Sequence, residues 1–179
     1  MVFSVSLLVS LHTFLLHART QGALAPAGRI VESVRQIGEM LVYGDKGMPG
    51  EEGGESFASP GGSERYLEAF CEHGMLRTFV WLYQDAHVLN CWGGVAVQVL
   101  QTMSILLLNA ARSSTLFYLL SNSHLNDLIE SAFDQGDEEL MGYYVSLLTT
   151  LSLAFGTGAA DTLQFFFITP PSPDPGLLG

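Results

Sequence analysis

The chain has 179 residues, of which 48% are hydrophobic and only 14% charged, and a formal net charge of −11. This length can bury a continuous core without disulfides or metals, and so apolar a composition excludes a disordered chain. Arg112 is the only Lys or Arg after Arg77, which excludes nucleic acid and anionic lipid as direct partners, because both are held by clustered basic side chains.

The N-terminal stretch from Val2 to Leu11 is apolar and admits two readings. As a leader it would be cut at the small residues Ala23-Leu24-Ala25, but no Lys or Arg precedes Arg19, where secretory signals carry positive charge. As a helix it places Leu7, Leu8, Leu11, Leu15 and Leu16 on one face. A membrane span is disfavoured, because the run is shorter than about 20 residues and His12 and His17 interrupt it.

From Ile30 to Tyr43, the residues Ile30, Val34, Ile37 and Leu41 recur every three or four positions, with Glu32, Arg35 and Glu39 on the opposite side. This spacing predicts an amphipathic helix. Residues 47–62 are rich in Gly, Pro, Ser and Glu with no apolar period, and read as a flexible insertion. Ser63 is the expected N-cap of a helix through Tyr66, Leu67, Phe70 and Cys71 that stops at Gly74, and a short helix from Met75 to Gln84 follows. Val95, Val99, Leu100, Met103, Leu106, Leu107 and Ala110 predict a central buried helix over Val95–Ala111, with Gln98, Gln101 and Ser104 off its stripe. Short helices are expected over Thr115–Leu120 and His124–Phe133, split by Ser121-Asn122-Ser123. A long helix then starts from Asp134 or Asp137 as N-cap, buries Leu140, Tyr144, Leu147, Leu148 and Leu151, and ends at Gly156 or Gly158. Ala159–Ile168 suits a helix or a strand, and Thr169–Gly179 is a Pro-rich tail with little to pack.

Four residues could carry metal chemistry: Cys71 and His73, with His87 and Cys91, supply the soft and borderline ligands of a tetrahedral zinc site. Their spacing differs from that of structural zinc sites, and Cys71 falls on the apolar stripe of Leu67 and Phe70. A packed cysteine with surface histidines is therefore the preferred reading. Asp134, Asp137, Glu138 and Glu139 lack the alternating order and central Gly of a calcium loop, and read as helix-capping charge. The glycines of 44–62 lack the order of a phosphate loop, and no G-x-S-x-G elbow occurs. Tyr66, Phe70, Phe79, Trp81 and Tyr83 could line a partner groove, although aromatics at helical spacing are more often core. No catalytic, cofactor-binding or metal residue is assigned. Two cysteines allow at most one bridge and suit a reduced compartment.

Three blocks carry a family resemblance. They are Val97-Gln98-Val99-Leu100-Gln101-Thr102-Met103-Ser104-Ile105-Leu106, then Leu116-Phe117-Tyr118-Leu119-Leu120-Ser121-Asn122, then Phe133-Asp134 and Asp137-Glu138-Glu139-Leu140-Met141 through Tyr143-Tyr144-Val145-Ser146-Leu147-Leu148. Together they resemble the FPL domain, which opens the C-type-lectin-domain-containing family 16 member A, endosomal maturation defective and Transparent Testa 9 proteins. The likeness extends back through Ile30–Ile37, Tyr43-Gly44-Asp45 and Phe70 to Met75. The chain departs from that pattern at the Gly-rich insertion, at Gln84–Gly94, and at a tail that stops where family members continue, as a fragment or a shortened gene would. The resemblance implies a cytosolic protein acting at Golgi, endosome, and lysosome or vacuole membranes, with links to autophagy. It brings no enzymatic activity and no cofactor, and these residues contain no lectin-like calcium or disulfide framework.

The expected fold is all-α, either a short armadillo- or HEAT-like solenoid or an irregular helical bundle, over residues 1–168, followed by a disordered tail over 169–179. The expected role is a helical scaffold that binds trafficking proteins, peripheral on endomembranes, with no nucleic acid or small-molecule substrate. A secreted or lumenal helical protein lacking Met1–Ala25 is the alternative.

Overall fold

The computed structural model describes residues 3–43, 62–89, 93–109, 118–119, 123–131 and 136–156. Helix α1 runs from Val5 to Gln21, with Ser4 as its N-cap: the Ser4 hydroxyl accepts a hydrogen bond from the Leu7 N–H at 3.1 Å. Gly22 ends it in a left-handed conformation, φ +57°, donating its N–H back to Ala18 and Arg19, a backbone shape that side chains resist. One 3₁₀ turn, Gly22–Leu24, leads into α2, Ala27–Tyr43. Helices α3, Gly62–Glu72, and α4, Met75–Leu89, meet at a corner where Gly74 has φ +61°. Helices α5, Gly93–Asn109, α6, His124–Glu130, and α7, Glu138–Gly156, complete the described fold.

Among the described residues every regular element is helical, so the chain is all-α as its periodicity predicts. Helix α5 is the hub, packed against α2, α4 and α7, while α1 lies on α2, α3 and α4. Its apolar stripe is buried as expected, and burial goes further: Thr102 and Ser104 are also covered. Ser104 lay off the stripe in the sequence reading. It tolerates the interior because its hydroxyl donates to the Leu100 carbonyl at 2.9 Å, so no polar hydrogen is stranded. On α2, Ile30, Val34 and Ile37 are fully buried. Glu32, Arg35 and Glu39 pair with one another on its outer side, with Arg35 2.6 Å from Glu32 and also bridged to Glu39.

Four of the five aromatics first considered for a groove are core instead. Tyr66, Phe70, Phe79 and Tyr83 are buried, and the Phe70 and Phe79 rings meet edge to face at 5.8 Å. Trp81 is half-buried beneath the Arg19 guanidinium, 4.3 Å from its ring centre. Arg19 also reaches Asp85 at 2.7 Å and so ties α1 to α4.

Several boundaries differ from expectation. Helix α3 starts at Gly62, the last residue of the expected insertion, so Ser63 lies inside the first turn rather than capping it. Helix α4 passes Gln84 and continues to Leu89, because Ala86, three residues beyond Tyr83, keeps the buried line going. Helix α6 stops at Glu130 rather than Phe133. Residues 1–2, 44–61, 90–92, 110–117, 120–122, 132–135 and 157–179 lie outside the described residues, and with them the rest of the insertion, the Ala110 end of the central stripe, most of the expected Thr115–Leu120 helix, Asp134, the Ala159–Ile168 segment and the tail.

Of the two N-caps considered for α7, the structure selects Asp137, whose Oδ1 accepts from the Leu140 N–H at 3.0 Å. Glu138 and Glu139 occupy the first turn, where the helix dipole favours negative charge. Asp137→Ala should lower stability by about 1 kcal/mol. Urea melts of the two chains would measure it, and an unchanged midpoint would show that the cap is dispensable.

Candidate interaction surface

Of the four residues weighed as a zinc set, Cys71 and His73 are not brought to His87. Cys71 and His73 flank the start of α4, whereas His87 lies in its last turn, roughly 18 Å further along at 1.5 Å per residue. Cys91 falls outside the described residues. Burial also pushes the Cys71 thiol above its ordinary range, whereas both metal binding and nucleophilic attack need the thiolate. Among the described residues no three His, Cys, Asp or Glu side chains converge in a way that could hold a metal ion. Near Cys71, the Tyr118 hydroxyl donates to the Cys71 backbone carbonyl at 3.3 Å, and burial pushes that phenol up to about 12.

A groove of about 250 Å3 runs between α2 and α5, walled by Arg35, Glu39, Val42, Gln98, Gln101 and Ile105. It is smaller than the roughly 300–1,000 Å3 of small-molecule sites. Arg35 is held by Glu32 and Glu39, so its charge is already matched.

The outer face of α7 is more informative. From Leu140 to Gly156 the sequence contains no charged residue, although a solvated helix face ordinarily carries several. Its exposed positions are Gly142, Val145, Ser146, Thr149, Ser152 and Leu153, and Val145 and Leu153 are 52% and 58% exposed. Two of the hydroxyls donate inward: Thr149 Oγ1 to the Val145 carbonyl and Ser152 Oγ to the Leu148 carbonyl, each at 2.9 Å. Donors spent on the helix's own backbone no longer demand water, so the face is more apolar than its composition indicates. Helix α1 has a milder version, with Ser10 and Thr13 donating to the Ser6 and Val9 carbonyls at 2.8 and 2.9 Å and no Lys, Arg, Asp or Glu before Arg19.

Neither face was found by reading the sequence for stripes, because that procedure looks for the buried side. The signal that could have found α7 is the charge-free run itself, combined with Ser and Thr residues at positions where a helix lets them donate to the carbonyl four residues back. Among the described residues, no helix is long and apolar enough to cross a membrane.

The fold and its surface define an all-helical domain with one broad uncharged outer face. The chain belongs to the FPL family, whose family model, described as an uncharacterised conserved protein, matches residues 60–172. It is 36% identical over 143 residues to the protein CLEC16A homolog of Drosophila melanogaster, covering 78% of this chain and 11% of that protein. It is 34% identical over 140 residues to protein CLEC16A of Homo sapiens, covering 77% and 11% respectively. Its identity to protein TRANSPARENT TESTA 9 of Arabidopsis thaliana is 33% over 123 residues, or 69% of this chain and 12% of that one. The chain thus spans about a tenth of the length of the curated relatives it matches. No solved structure matches it.

Proposed function

We propose that this chain is a non-catalytic helical scaffold that binds protein partners in endomembrane trafficking and autophagy, from the cytoplasmic side and peripherally to the membrane. The process comes from the FPL relationship; the mode of action rests on the α7 face. An uncharged, weakly solvated helix surface on a chain of net charge −11 suits an apolar protein partner and repels phosphate-bearing ones. The leader-peptide alternative is disfavoured by α1 itself, whose Leu8, Leu15 and Ala18 are fully buried in the common core.

The test is affinity purification of the tagged chain from cells, with the bound proteins and the bait's first residue read by mass spectrometry. Trafficking proteins on an intact bait support the proposal. Lumenal proteins on a bait starting near Pro26 overturn it. A Val145→Glu chain, altered where the side chain is half exposed, should unfold within about 0.5 kcal/mol of the parent. It should nevertheless recover at least about tenfold less partner, since a carboxylate desolvated in an apolar interface costs more than 1.4 kcal/mol. Undiminished recovery would remove α7 as the binding face.

A further inference from the structure

Helix α1 carries one imidazole on its core-facing line. His12 is 6% exposed and lies between Leu8 and Leu15, both fully buried. Its Nε2 is 2.8 Å from Thr78 Oγ1 on α4, a hydroxyl whose residue is 2% exposed and 66 positions away in sequence. The exposed ring of His73, in the corner between α3 and α4, stands 6.2 Å from that of His12. This cluster therefore sits where α1 meets two other helices.

Among the described side chains of the neighbouring elements, the carboxylates are engaged or exposed elsewhere. On α4, Asp85 is taken by Arg19, and Arg77 lies over Trp81. On α2, Glu32 and Glu39 hold Arg35 on the outer side, and Arg29 lies over Phe14. On α3, Glu68 and Glu72 are exposed. The neighbour that acts on His12 through space is His73, and it disfavours the imidazolium. Burial, and then this neighbour, accordingly hold the His12 imidazole below the ordinary histidine value of 6.5.

We propose that His12, wedged against Thr78 and facing His73, makes the seating of α1 on α3 and α4 sensitive to acid, so that α1 loosens where the medium is mildly acidic. Protonation puts a charge into an apolar seam and adds a like charge beside His73. A folded-state proton affinity below that of the released state means that release takes up a proton. The seam is at full strength above about pH 6.5 and weakens as the pH falls through that value toward the lower one of the seated helix. The consequence is a domain whose first helix, and the surface beneath it, respond to a fall in the pH of the medium that bathes them.

Hydrogen exchange of the full chain, corrected for intrinsic rates, tests this at about pH 7.5 and about pH 5. Protection of α1 amides should fall at least about tenfold more than that of α5 amides. In His12→Gln, whose amide can keep the Thr78 hydrogen bond, the difference should vanish. His73→Gln alters an exposed position that folding tolerates, and by removing the repelling neighbour it should lessen the acid loss of α1 protection. Equal loss of protection in all helices, a loss that persists in His12→Gln, or a loss undiminished in His73→Gln would overturn the proposal.

Discussion

A chain lacking Met1–Ala25 is expected to lose its cooperative thermal transition altogether. Burying Leu8 and Leu15 contributes about 3–6 kcal/mol between them, and the partly buried Leu7, Leu11 and Phe14 pack against the same core. The truncation also strips the Arg19 bridge from Asp85 and the His12 contact from Thr78. Those losses are as large as the roughly 5–15 kcal/mol that holds a domain folded. Circular dichroism melts of the two chains make the measurement. A truncated chain that melts cooperatively at the parent temperature would show that α1 is an appendage, and would return the leader reading to favour.

The second large effect lies where α2 crosses α5. A Cβ built on Gly38 meets the Thr102 Cγ2 at 2.7 Å, inside any normal contact, and Thr102 is buried and β-branched, so it has little room to turn. Gly38→Ala would ordinarily stabilise a helix by about 1 kcal/mol. Here it should instead cost about 1–3 kcal/mol, as overpacked cores do. Thr102→Ser removes the offending methyl, so the double variant should recover most of that loss. Gly142→Ala is the control, since nothing lies within 4 Å of its Cβ, and it should stabilise. Denaturant melts of the four chains form a cycle whose coupling term decides the matter. A coupling near zero would mean that the helices do not touch through this pair.

Much of this architecture was readable from periodicity. The Ile30–Leu41 stripe and the run from Val95 to Leu107 are buried where their spacing puts them, since a helix in a core must turn its apolar residues one way. Periodicity alone failed where a polar group found a distant partner. The N-terminal stripe of Leu7, Leu8, Leu11, Leu15 and Leu16 holds at Leu8 and Leu15, which are fully buried, and in part at Leu7 and Leu11, but Leu16 is 39% exposed and the buried line runs instead through His12 and Ala18. His12 looked like an interruption because its hydrogen-bond partner, Thr78, belongs to another helix, and no local pattern announces such a pairing. The zinc set, already disfavoured by its spacing, gains nothing from the fold among the described residues. Cys71, His73 and His87 are close in sequence, but a continuous α4 holds the two ends apart. The α7 face was missed because its evidence is an absence of charge, which acquires meaning only once the helix is known to be half outside.

The back-bonded, charge-free surface of α7 also sets how fast a partner can arrive. With no charged side chain from Leu140 to Gly156 to guide approach, encounter there proceeds near the unsteered rate of about 10⁵–10⁶ M⁻¹ s⁻¹. Salt should then act on that rate through the overall negative charge of the chain rather than through this face. Selectivity among partners would then be exercised after contact, through how long each complex lasts.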